Sequence, residues 1–154
     1  MGDGKRAGWG LKVAIGVLVL LVAGAWGARE VYRVKKSVSR ESIDTYAQRF
    51  HQQMDAGQLQ EIIDQADAGF REGKTPDELR QRLEEVRARL GRHRSSKLKV
   101  VQINYSSKLG KHVVATYESE FEKGRAGEDF TLLVSAGGLR LYGYQINTSS
   151  AVKP

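Results

Sequence analysis

The chain of 154 residues has no cysteine and only two prolines. Without cysteine there can be no disulfide-stapled scaffold, thiol nucleophile, zinc–thiolate site, iron–sulfur cluster or lipoprotein-type lipidated cysteine. Histidine is scarce as well: His51, His93 and His112 are the full set. No two of them stand at i, i+4, and none has a carboxylate at a metal-ligand spacing, so the sequence calls for no metal and no cofactor. His51 reads as a surface or boundary residue of a helix. There is no G-x-S-x-G elbow, no Walker loop and no G-x-G-x-x-G following a strand. These absences remove the commonest routes to nucleophilic, metal-dependent and nucleotide chemistry. The sequence therefore speaks of architecture and address more than of a reaction.

What is present begins with charge. Lys and Arg number 25 against 18 Asp and Glu, a formal net charge of +7. The apolar residues are concentrated near the N-terminus. Residues 13–28 (VAIGVLVLLVAGAWGA) hold no charge. As a helix that stretch is roughly 24 Å long, and extension back to Ala7 makes it roughly 33 Å. This matches the ~30 Å of a bilayer core. Lys12 can snorkel from one end, and Trp9 and Trp26 fall near the two interfaces. The expectation is a single membrane helix over about 7–28. A removable secretory signal is the alternative, with Lys5 and Arg6 ahead of the apolar core and Ala23-Gly24-Ala25 as the cleavage site. The anchor is favoured because the segment stays apolar past that site, and Arg29, Arg33, Lys35 and Lys36 follow at once. Ala23/Gly27 and Gly24/Ala28 are small-xxx-small pairs that suit packing in a membrane complex.

Orientation is read from two opposed signals. Lys5, Arg6 and Lys12 precede the span, whereas Arg29, Arg33, Lys35, Lys36 and Arg40 follow it, which favours a cytoplasmic C-terminal side. A short N-terminal tail followed by one span is, however, the usual design of an exported domain. The expectation is an inner-membrane, single-pass protein with its domain on the extracytoplasmic side.

Residues 29–40 read as a basic connector, 41–147 as a globular domain and 148–154 as a tail. Ile43, Tyr46, Ala47, Phe50 and Met54 recur at helical spacing, with Gly57 as the stop. Leu59, Ile62, Ile63, Ala66 and Phe70 form a second helical stripe ending near Gly73. Thr75-Pro76-Asp77-Glu78 fits a capping box with proline at the first helical position. That third helix presents Leu79, Leu83, Val86 and Leu90 on one face and should stop at Gly91. After Ser95-Ser96 the period becomes two, over 97–105, 112–122, 129–135 and 139–147. Residues 108–111, 123–128 and Gly137-Gly138 supply the turns. Helices followed by strands define an α+β fold: three helices packed on a four-stranded antiparallel sheet.

The phrases FHQQMDAGQLQEIIDQADAGFR, YESEFEKGRAGEDFTLLV and LYGYQIN, with a capped helix ending RLG between the first two, carry a resemblance. They resemble a group of small bacterial domains, exported or membrane-anchored and uncharacterised in function. These domains are similar to the cone-shaped fold shared by nuclear transport factor two and ketosteroid isomerase. The resemblance spans Glu41 to Asn147. It departs from the larger fold in having no strand pair before Lys97. It implies an exported domain and no particular activity.

Two function classes are set against each other. The first is a non-enzymatic, membrane-anchored domain that binds a partner protein or small ligand at the cell envelope, or serves as an accessory subunit of a membrane complex. The second is a small enzyme using a cavity between helices and sheet, with Tyr46, Tyr105, Tyr117, Tyr142 and Tyr144 as candidate liners. Asp55, Asp64 and Asp67 read as solvated helix carboxylates and not as a base. Glu118, Glu120 and Glu122 alternate on one strand face and look for lysines and arginines of neighbouring strands. A cation site there would need Glu128 or Asp129 to converge on them. Arg87, Arg89, Arg92, Arg94, Lys97 and Lys99 form a basic run without an intervening acid, a candidate contact for an acidic partner or lipid. The run has no aromatic to stack a base, which argues against nucleic acid.

Overall fold

The computed structural model describes residues 38–148. The expected membrane segment and most of the connector and tail lie outside these residues. No helix among those described is long and apolar enough to cross a membrane.

Helix α1 spans Arg40–Ala56 and begins where the Ser39 side chain accepts the Ser42 N–H. It ends at Gly57, whose φ of 74° closes the last turn in the left-handed region that glycine enters without a Cβ penalty. The second apolar stripe is not one helix, as the spacing suggested. It forms α2 (Leu59–Gln65) and the single turn α3 (Ala68–Arg71). The break is a hydrogen-bond exchange. Ala66 and Asp67 are extended, the Asp67 N–H donates to the Leu141 carbonyl at 2.8 Å, and the Asp67 carboxylate caps Gly69. Helix α4 (Pro76–Leu90) carries the expected capping box. Thr75 Oγ1 accepts the Glu78 N–H at 3.2 Å, and Glu78 accepts the Thr75 N–H at 2.7 Å.

Four strands follow: β1 (His93–Ser106), β2 (Gly110–Phe121), β3 (Gly124–Ser135) and β4 (Gly138–Asn147). They pair antiparallel in sequence order, so β1 and β4 are the edges. Two expectations need correction. β1 starts before Ser95, because His93 pairs with Phe121 and the Arg92 carbonyl accepts the Glu122 N–H. Residues 123–128 are not a turn. Glu122 and Lys123 suffice for the hairpin, and Gly124 already pairs with Phe121. This places Ala126 and Glu128 in phase with Phe130 and Leu132, pointing at the helices.

The helices cover one face of the sheet. Ile43, Ala47, Phe50, Ile63, Leu79 and Leu83 meet Val113, Ala115, Tyr117, Phe130, Leu132 and Leu141 in one core. Phe50 and Tyr117 both stand edge-on to Phe130. The outer face is polar. Lys99 pairs with Glu118 at 2.9 Å and Arg125 pairs with Glu120, the cross-strand neutralisation expected for those glutamates.

Candidate functional site

Two features could bear function: a buried polar cluster under α1 and a cleft beside β4. The cluster forms because period-two burial carries polar residues inward. On β2, Ser119 shares its face with Tyr117 and Phe121; on β3, Glu128 shares its face with Phe130. Glu128 is 0% exposed and His51, on α1, is 4% exposed. His51 is therefore a core residue and not the surface residue expected. Its Nε2 lies 3.1 and 3.0 Å from the two Glu128 oxygens. A carboxylate only accepts, so Nε2 carries the shared proton. Tyr144 donates its hydroxyl to Glu128 Oε1 at 2.6 Å. His93 stacks on His51 with ring centres 3.7 Å apart and 2° between planes. Ser96 joins His93 to Ser119, its hydroxyl 2.7 Å from that of Ser119.

The electrostatics follow from this packing. Burial alone pushes the Glu128 carboxyl up. The hydrogen bond and charge of His51, with the hydroxyls of Ser119 and Tyr144, outweigh it and hold the group below the usual carboxylate range. The Tyr144 hydroxyl is pushed well up by burial and by the Glu128 charge. The His93 imidazole is pushed down by burial and by His51. Such shifts are typical of active sites, but structural ion pairs produce them too. Little space adjoins the two histidines. The void beside His51, Phe50, Met54, His93 and Phe121 is about 10 Å³, room for a single water. His51 Nδ1 has no hydrogen-bond partner among the described residues. The cluster pins α1 to the sheet.

The cleft has the volume the cluster lacks. It measures about 590 Å³ and wraps the free edge of β4, with Phe70, Leu79, Leu83, Val86, Tyr142 and Ile146 as its apolar wall and Val114, Asp129, Thr131 and Gln145 on the outer face of the sheet. Lys74 and Arg82 stand at its rim with Asp129. Apart from the Asp67 bond to Leu141, no helix or loop backbone among the described residues bonds to this free edge of β4. Tyr142 is the extra residue where the β3–β4 register shifts between Thr131 and Leu132. Its ring lies against Gly69, where a Cβ would collide with it.

The five tyrosines do not converge on one pocket. Tyr142 and Tyr144 line the cleft, and Tyr46 lines a shallower groove of about 560 Å³ with Arg49 and Leu139. Tyr117 is buried and donates to Asp44 at 2.8 Å, whereas Tyr105 is 82% exposed. The basic run is divided as well. Arg87 donates to the Asp55 carbonyl at 3.1 Å and Lys99 pairs with Glu118, while Arg89, Arg92, Arg94 and Lys97 are exposed. Asp55 accepts the His93 N–H, Asp64 accepts from Gln60 and Asp67 caps α3, so these three carboxylates are placed apart. Glu128 points away from Glu118 and Glu120. No group of three potential metal ligands occurs among the described residues.

Fold and site together define a small α+β domain, a helical layer on an antiparallel meander pinned by a buried histidine–glutamate pair. Residues 46–144 match the protein family described as "Protein of unknown function (DUF4019)", and the chain belongs to that family. No curated protein matches the chain.

Proposed function

We propose that the chain is a non-enzymatic binding domain, held at the bacterial inner membrane by residues 7–28, with its globular part on the extracytoplasmic side. Its site is the cleft beside β4, which takes a partner protein or a small ligand. The single observation behind this reading is the contrast in space. His51 and His93 border about 10 Å³, whereas the cleft, which the cluster meets only through Tyr144, offers about 590 Å³. Ligand sites commonly occupy 300–1,000 Å³ with apolar walls and a few polar groups. Lys74 and Arg82 at the rim suit a ligand with an acidic group. Among the described residues no strand pair precedes β1, which fits a reduced relative of the cone-shaped fold.

The test is site-specific photocrosslinking in intact membranes. A photoreactive residue at Gln145, in the cleft, should give a discrete adduct that Arg82→Glu reduces. The same group at Gln52, on the exposed side of α1, should give none. Equal labelling from both positions, or none from Gln145, would reject the cleft as the site.

A further inference from the structure

The exposed large apolar side chains of the described residues gather at one place. Val100, Val101, Ile103 and Tyr105 are 46%, 38%, 56% and 82% exposed, and all four are on β1. Val101 and Ile103 stand opposite the fully buried Ala115 and Val113, on the face the helices cover elsewhere. Val100 stands opposite Thr116 on the other face. An edge strand thus shows apolar side chains on both sides near its turn, where soluble sheets place charge. From Lys97 to Tyr117 the chain carries four lysines, Lys97, Lys99, Lys108 and Lys111, and no acid. Lys108 lies in the β1–β2 turn and Lys111 follows it on β2.

This tip lies at a particular end of the molecule. His51 meets His93, and Asp44 meets Tyr117. Farther toward the start of α1, Arg40 reaches the Leu98 carbonyl at 3.5 Å. From residue 51 back to 40 the helix covers about 16 Å, and β1 advances about 16 Å from 93 to 98. The start of α1 therefore points toward the β1–β2 turn. The chain coming from the apolar segment 7–28 joins the fold at the end that carries the tip.

We propose that the β1–β2 tip docks on an anionic phospholipid bilayer. The proposal rests on the membrane reading of residues 7–28 and adds a second contact to it. Tyr105, Ile103 and Val101 enter the interfacial layer, where an amphipathic tyrosine is favoured. Lys108 and Lys111 lay their stems along that layer and present their amines to headgroup phosphates. A bilayer covers both faces of the strand. A second copy or the connector would cover one face and leave Val100 or Ile103 wet. Apolar insertion and basic attraction together give the two signals that stable surface binding needs.

The test uses the full chain in vesicles containing phosphatidylglycerol, with an environment-sensitive dye on a single introduced cysteine in a chain that has none of its own. Ser107→Cys reports the tip, Val19→Cys the apolar segment and Glu122→Cys the opposite end of the sheet. Brominated lipid should quench the dye at 107 and 19 and leave it bright at 122. Vesicles of phosphatidylcholine alone should release position 107. Lys108→Gln and Lys111→Gln should each lower its lipid contact by roughly fivefold, and Ile103→Ser should lower it with the fold intact by circular dichroism. Quenching at 19 without quenching at 107 overturns the tip proposal alone. A dye at 107 that is shielded from water but not quenched by lipid means a protein cover and also overturns it. An unquenched dye at 19 overturns the span, and position 107 then decides the tip by itself.

Discussion

The end of the sheet around His93 and Phe121 and the end around Tyr105 and Lys111 are built from the same two strands, yet they bury opposite things. At the first, α1 presses a histidine, a serine and, from the adjacent β3, a glutamate out of water. At the second, the helices have run out and valine, isoleucine and tyrosine remain in solvent. The first arrangement holds only because nearly every buried polar atom has a partner. The second costs little stability but leaves surface suited to another phase. Specificity of the fold and contact with the surroundings are thus kept at opposite ends of one hairpin.

Breaking the first end should have the largest effect. Glu128→Ala leaves the Tyr144 hydroxyl and His51 Nε2 buried without an acceptor, at a cost of about 3–5 kcal/mol in chemical denaturation. Gly69→Ala comes next. The added Cβ must displace the Tyr142 ring, which should cost about 1–3 kcal/mol, and Tyr142→Ala in the same chain should recover part of it. Thr75→Ala removes one half of the α4 capping box and should cost about 1 kcal/mol. Ile103→Ser, at the second end, should move the denaturation midpoint least, within about 0.5 kcal/mol.

Acid should act on the first end as well. The folded-state pKa values of His93 and Glu128 are both depressed, so the unfolded chain binds protons more readily. Stability should begin to fall as the pH drops through the ordinary histidine value of about 6.5, and again below the ordinary carboxylate value of about 4.3. His93→Gln should flatten the first step and leave the second, as denaturation midpoints measured from pH 8 to pH 2 would show.

Much of the fold was legible in the residues. The Thr75–Glu78 box, the stop at Gly57 and the inward face of β2 each follow from a local rule with one outcome. The break at Ala66 was not legible, because its cause is a hydrogen bond to Leu141, some 75 residues along the chain. The cluster was missed for a different reason. Reading KGRAGE as a turn hid the fact that Glu128 is in phase with Phe130, Leu132 and Val134. With the strand begun at Gly124, period two would have turned Glu128 inward and demanded a partner. His51 sits between Ala47 and Met54 on the apolar face of α1, a phase that was present in the sequence but outweighed by the residue's usual polarity. The cleft depends on the bulge at Tyr142 and on how far α4 stands from β4, and no local pattern encodes either.

Amide hydrogen exchange of the full chain, in bilayers with and without phosphatidylglycerol, sets the two ends against each other most directly. The Ser119 and Glu128 amides should exchange only through global unfolding, at the same rate in both bilayers. The amides of residues 101–105 should exchange faster in the neutral bilayer and slow down when anionic lipid is present. Uniform protection along β1 and β2 in both bilayers, or slowing by anionic lipid at Ser119 instead of at Ile103, would contradict this division of roles.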